Sequence, residues 1–108
     1  AALITPKVDA TIAALEEGLT GLARWTTLRG GYFVSLWTPP GLATEVVGLA
    51  AEAGVRLTPA GAAFPLGHDP EDSHIRLAPS FPTLEEVRQA MDVVVTCVRL
   101  AIARSRAA

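Results

Sequence analysis

Apolar positions along the chain fall into stretches of two different periods. Val8, Ile12, Leu15 and Leu19 recur at spacings of four, three and four, which is one face of a helix. Thr5-Pro6 ahead of them supplies an N-cap and a proline at the first helical position, where its missing N–H costs nothing. Gly18 to Gly21 end that helix. Residues 22–29 (LARWTTLR) read as a strand carrying Trp25, Thr26 and Thr27. Gly30-Gly31 makes a turn or bulge. Tyr32 to Trp37 (YFVSLW) is a second strand, apolar on both faces as central, covered strands are. The two strands form an antiparallel pair.

Thr38-Pro39-Pro40-Gly41 stops the second strand. Leu42, Val46, Leu49, Ala50 and Ala53 then return to helical spacing, closed by Gly54 as a C-cap with Val55 behind it. Residues 55–58 read as a short strand, and residues 59–73 as a long polar loop rich in Pro and Gly. Residues 74–78 (HIRLA) alternate, with Ile75 and Leu77 on one side and His74, Arg76 and Ala78 on the other. Thr83-Leu84-Glu85-Glu86 is a capping box. Behind it Leu84, Val87, Met91, Val94, Val98 and Ala101 mark a long apolar stripe running to about Arg104. Arg99, Arg104 and Arg106 suit that helix's C-terminal end. The order is helix, strand, strand, helix, strand, strand, helix. It predicts an α+β two-layer sandwich, a small and partly antiparallel sheet covered by helices.

Composition narrows the function. The 108 residues are 50% hydrophobic and 19% charged with a net charge of −2, a globular balance that fits one thin-cored domain. Mild acidity gives no electrostatic reason to expect nucleic acid or an anionic membrane as a partner. No apolar run is long enough to span a bilayer, and residues 1–20 lack the pattern of a signal peptide. The single cysteine, Cys97, excludes an internal disulfide framework and a multi-Cys zinc site, and fits a reducing cytosol.

Chemistry-bearing clusters are few. Cys97 sits mid-helix beside the apolar stripe, where a small buried thiol is the plain reading. His68, Asp69, Glu71, Asp72 and His74 crowd one loop (HDPEDSH), but their spacing matches no zinc signature, and a solvated acidic loop accounts for them. Glu16-Glu17 fits an exposed helix face and Glu85-Glu86 a helix N-terminus. Gly30-Gly31 is not a phosphate loop. These residues contain no complete active site. Arg76 is the exception: a guanidinium held on a rigid strand has a fixed aim and presents a planar fork to a carboxylate or phosphate.

From Gly30 onward four blocks occur in a telling order: Gly30-Gly31-Tyr32-Phe33, Glu52-Ala53-Gly54-Val55, Thr58-Pro59-Ala60-Gly61-Ala62-Ala63-Phe64, and Ile75-Arg76-Leu77-Ala78-Pro79-Ser80-Phe81. This succession resembles the C-terminal small domain of fold-type I pyridoxal-phosphate-dependent aminotransferases, and the last block is most similar to a bacterial aspartate-aminotransferase-type subgroup. The resemblance covers residues 5–104, with residues 1–21 as a helical lead-in and 22–108 as the small domain. It implies that Arg76 binds the α-carboxylate of an amino-acid substrate. It places Gly30, Gly31 and Tyr32 beside the active site, and the loop from Pro59 to Phe64 near the cofactor cleft.

The resemblance further implies pyridoxal 5'-phosphate in a larger parent protein, amino-acid and 2-oxo-acid substrates, a large cofactor-binding domain in the same polypeptide and a homodimeric parent. The lysine that carries the cofactor in this family lies in the large domain. Lys7, the single lysine among nine basic residues, matches nothing in that motif. The 108 residues are therefore expected to be inactive alone, with no cofactor of their own. Two other readings stay open on the sequence: the aminotransferase-like domain of a lyase or transcription regulator, and a stand-alone α+β interaction module.

Overall fold

The computed structural model describes residues 5–27, 33–58, 61, 64, 66, 68–78 and 83–107. Within them run α1 (Thr5–Leu19), β1 (Arg24–Thr27), β2 (Val34–Trp37), α2 (Ala43–Glu52), β3 (His74–Leu77) and α3 (Leu84–Ala107). The strands join in the order β1-β2-β3, both pairs antiparallel, so β2 is central as its apolar run predicts. Val34 lies opposite Leu77 and Leu36 opposite Ile75, while Ser35 pairs with Arg76 and Trp37 with His74. Side chains alternate across a strand, so Val34, Leu36, Ile75 and Leu77 share one face. All four are buried. Leu15 and Leu19 of α1, Val46 and Ala50 of α2, and Val87, Val94 and Val98 of α3 complete the core on that face. Each such aliphatic side chain, fully buried, contributes about 1.5–3 kcal/mol. The result is the expected two-layer α+β arrangement.

It has one strand fewer than the pattern predicts. Residues 55–58 form no strand. Val55 is drawn into the core, and its N–H is committed to the α2 terminus, donating to the Ala50 carbonyl at 2.8 Å. A cavity lies between this segment and β3, where ladder bonds would have to form. Apolar alternation records which side chains are buried, and here it does so without a paired edge. The α2 terminus itself follows the expected design. Gly54 takes φ +91° and donates its N–H to Ala51 at 3.0 Å, which with the Val55 bond makes a Schellman ending. At the start of α3 the Thr83 hydroxyl accepts the Glu86 N–H at 3.1 Å.

The N-terminus of α2 is built differently. Leu42 occupies its cap position and has no side chain to offer. The missing acceptor arrives from 28 residues away: Asp72 Oδ1 accepts the Thr44 N–H at 3.0 Å and the Thr44 hydroxyl at 2.7 Å, and the Asp72 carbonyl accepts the Ala43 N–H at 2.9 Å. Asp72 adopts φ +48° to do so, a conformation that aspartate tolerates better than most residues. Next to it, Asp69 Oδ1 accepts the Glu71 N–H at 3.1 Å, and Oδ2 accepts the N–H groups of Ser73 and His74, both at 2.8 Å. Ser73 completes the join: its carbonyl accepts the Thr38 N–H at 2.9 Å and its hydroxyl donates to the Thr38 carbonyl. The expectation of a merely solvated acidic loop is thus corrected. These carboxylates cap and clamp backbone, which charge pattern alone does not reveal.

α1 packs against α3. Gly18 sits so close to Val95 that a Cβ there would run into Val95 Cγ1. Two expectations follow for stability. Gly18→Ala should cost about 1–2 kcal/mol despite alanine's better helix propensity, because the overlap outweighs it. Adding Val95→Ala should recover part of the loss in thermal melts. For Asp69, the N–H groups of Ser73 and then His74 hold the carboxyl below its ordinary value of 3.8, with desolvation opposing them. The folded value is the lower one, so the stabilisation is complete above the ordinary value and fades as pH falls through the folded one. Asp69→Asn, which keeps one acceptor oxygen of two, should cost about 1 kcal/mol at neutral pH. Denaturation curves at descending pH should show the variant losing less below pH 4 than the wild type does.

Candidate functional site

Register sets the second face of the sheet. Ser35 and Trp37 of β2 stand beside Arg76 and His74 of β3, with Arg24 and Thr26 of β1 next in line. Phe33, two residues before Ser35, falls on the same side. This face opposes the hydrophobic core, yet it is not simply wet. Ser35 and His74 are each 6% exposed.

Arg76 is half-buried. Its guanidinium carbon lies 4.9 Å above the centre of the Phe33 ring, a cation–π stack that fixes the plane of the fork. Its Nε is buried and has no hydrogen-bond partner, and among the described residues no carboxylate pairs with it. A buried guanidinium N–H without an acceptor is costly. The described residues supply no anion for the guanidinium. Arg76, Leu77 and Ala78 border a cavity of about 200 Å³ together with residues 55–58, Thr11 of α1, and Val87, Ala90, Met91 and Val94 of α3. Two arginines, Arg56 and Arg76, line this mainly aliphatic hollow, which suits a small amphipathic carboxylate.

On the same face as Arg76 lies a cluster of rings in tilted and edge-on contact. His74 Nε2 is hydrogen-bonded to the Ser35 hydroxyl at 2.9 Å. The imidazole sits 5.0 Å from the Trp37 ring and 5.5 Å, edge-on, from that of Phe64. Arg24 stacks on Trp37 at 5.3 Å. Phe64 is brought there by a turn in which its N–H donates to the Gly61 carbonyl at 2.9 Å. Burial pushes the His74 pKa below 6.5; the Asp69 charge works against this and Arg76 reinforces it. Burial thus favours the neutral imidazole.

The other sequence candidates separate. Gly30, Gly31 and Tyr32 lie outside the described residues, as do Thr58's successors Pro59 and Ala60. His68 is exposed, and among the described residues no group of three or more His, Cys, Asp or Glu is placed to hold a metal. Cys97 is buried on α3, where desolvation, then the Glu52 charge, raises its pKa. Glu16, Glu17, Glu85 and Glu86 are all exposed. Lys7 stands in the first turn of α1, its carbonyl accepting the Thr11 hydroxyl at 2.9 Å, and is not part of the cavity lining. Sequence reasoning missed Phe33 and Ser35 as companions of Arg76. The signal was present in the period-two alternation of residues 32–37, which the wholly apolar look of that run hides.

Among the described residues no helix is long and apolar enough to cross a membrane. Comparison with known proteins is consistent along the whole chain. An aspartate aminotransferase of Corynebacterium glutamicum is 50% identical over 105 residues, which cover 95% of this chain and 24% of that protein. The crystal structure of an aspartate transaminase from the same species superposes with a TM-score of 0.90 at 48% identity, over 94% of this chain and 24% of that one. An α-aminoadipate aminotransferase of Thermus thermophilus, complexed with N-(5'-phosphopyridoxyl)-L-leucine, shares the fold with a TM-score of 0.76 at 24% identity, over 90% of this chain and 25% of its own. The chain thus spans about a quarter of the length of the relatives it matches. The family model described as aspartate amino-transferase matches residues 1–108, and the chain belongs to that family.

Proposed function

We propose that this chain is the C-terminal small domain of a pyridoxal-phosphate-dependent aminotransferase, with residues 1–21 leading into it, and that Arg76 clamps the α-carboxylate of its amino-acid and 2-oxo-acid substrates. One observation carries the assignment: a guanidinium fixed between a strand and the Phe33 ring, with no carboxylate of the described residues paired to it. A substrate carboxylate supplies two acceptor oxygens in the plane of the fork. Held by that pair, the substrate loses its rotational freedom before reaction, and its α-carbon is presented in one orientation. Identity with the Corynebacterium aspartate aminotransferase favours the aspartate class of donor.

The residues of this chain do not themselves fit the cofactor. Lys7 is the single lysine in the sequence and is absent from the cavity that Arg76 borders. In our reading the cofactor belongs to a larger domain of the same polypeptide; about three quarters of the relatives' length lies outside the part matched here. No step of the reaction is assigned to pyridoxal phosphate in this chain. Its residues bind and orient.

In the full-length enzyme, Arg76→Ala should raise the KM for the amino acid by about 100-fold or more, the worth of a charge-assisted bidentate pair. The cofactor's absorbance should stay as in the wild type. Arg76→Lys should fall between the two, since an ammonium retains charge without the fork. Unaltered substrate affinity in Arg76→Ala would remove the assignment.

A further inference from the structure

Two aromatic rings on the second face of β2 each carry an arginine from a neighbouring strand. Trp37 is the register partner of both Arg24 and His74. Its ring takes the Arg24 guanidinium at 5.3 Å and the His74 imidazole at 5.0 Å. Arg76 is served by the other ring. Its register partner is Ser35, so Phe33 and Trp37 are its two diagonal neighbours on β2, both within reach of a long side chain. Trp37 is already engaged, and the Arg76 guanidinium carbon lies 4.9 Å over the centre of Phe33. Polar groups do not hold the guanidinium. Among the described residues no carboxylate pairs with it, and its buried Nε has no hydrogen-bond partner. With Nε buried, a carboxylate reaches the fork only at its Nη1–Nη2 end. The direction of that end therefore falls to the ring beneath it.

We propose that Phe33 is a positioning residue whose ring aims the Arg76 fork, so that substrate affinity depends on the aromatic character of position 33. The inference rests on the carboxylate reading of Arg76 and deepens it by naming the group that orients the arginine. A guanidinium over an aromatic face is attracted by the negative charge of that face and stacks on it. An aliphatic side chain of similar size covers the arginine stem but offers no such face. Without the ring, the end of the fork is free to swing about its stem, and a bound carboxylate must first restrain it. Phe33 acts through Arg76 and has no need of its own contact with substrate.

The experiment uses the full-length enzyme with Phe33→Leu, Phe33→Tyr, Arg76→Ala, and Phe33→Leu combined with Arg76→Ala. Affinity is read as the amino-acid KM and as the inhibition constant of succinate, a dicarboxylic acid with no amino group to transfer. Phe33→Leu should raise both by about fivefold, the worth of a half-buried cation–π contact, with kcat changing less than KM. Phe33→Tyr keeps the ring and should retain most of the affinity that Phe33→Leu loses. In the Arg76→Ala background, Phe33→Leu should change affinity less than twofold, because the ring acts only through the arginine. Wild-type affinity in Phe33→Leu, or a fivefold loss that persists without Arg76, overturns the proposal. Should Phe33→Leu fail to fold, phenylalanines bearing one, two and three fluorines at position 33 decide instead. Fluorine draws charge from the ring face and leaves its shape nearly unchanged. KM should climb with each fluorine, and a flat series overturns the proposal. Arg76→Ala separates the two readings. If it leaves affinity intact, the clamp itself is wrong; if it weakens affinity while Phe33→Leu behaves as wild type, only the positioning role is lost.

Discussion

The pairing of β2 with β3 is the constraint on which everything else rests. Because side chains alternate, that register places Leu36 and Ile75 in the core and Ser35 and Arg76 on the opposite face in one operation. A slip by one residue would drive a guanidinium under the helices and turn Ile75 and Leu77 outward. Burial of four aliphatic side chains against α1, α2 and α3 therefore fixes the aim of the arginine. Core and site are two readings of a single ladder.

The acidic segment before β3 serves the same end by other means. Three backbone N–H groups converge on Asp69, and the last of them is that of His74, the first residue of the strand. Asp72 meanwhile caps a helix that has no capping residue of its own. Each carboxylate is placed where free N–H groups concentrate, which is where negative charge is most stabilising. The loop is thus a clamp between the start of β3 and the start of α2, and Arg76 lies two residues inside the clamped end.

Much of this was legible in the order of residues. The stripes of α1, α2 and α3, the Gly54 ending and the facing of Ile75 and Leu77 against Arg76 all follow from periodicity and capping chemistry, and the structure places them accordingly. Residues 55–58 misled because burial without a ladder leaves the same trace as a buried strand. Asp69 and Asp72 misled for a different reason: a carboxylate's partner is decided by what folding brings near it, and Thr44 is distant in sequence. Arg76 was visible as a residue out of keeping with its surroundings. Phe33 and Ser35 became its companions only once the register was known, since alternation within YFVSLW and HIRLA does not state which residue of one strand pairs with which of the other.

The join between residues 38–44 and 69–73 also governs where the chain tolerates change in length. Thr38, Gly41 and Ala43 on one side and Glu71, Asp72 and Ser73 on the other are stitched backbone to backbone, so an inserted residue in either segment shifts the cap of α2 and the first residue of β3 together. Among the described residues between Gly54 and Asp69, Leu66 is fully exposed. Homologous chains can therefore be expected to keep a fixed count from Asp69 to Arg76. That count of residues works as a ruler, measuring from a helix cap to the arginine.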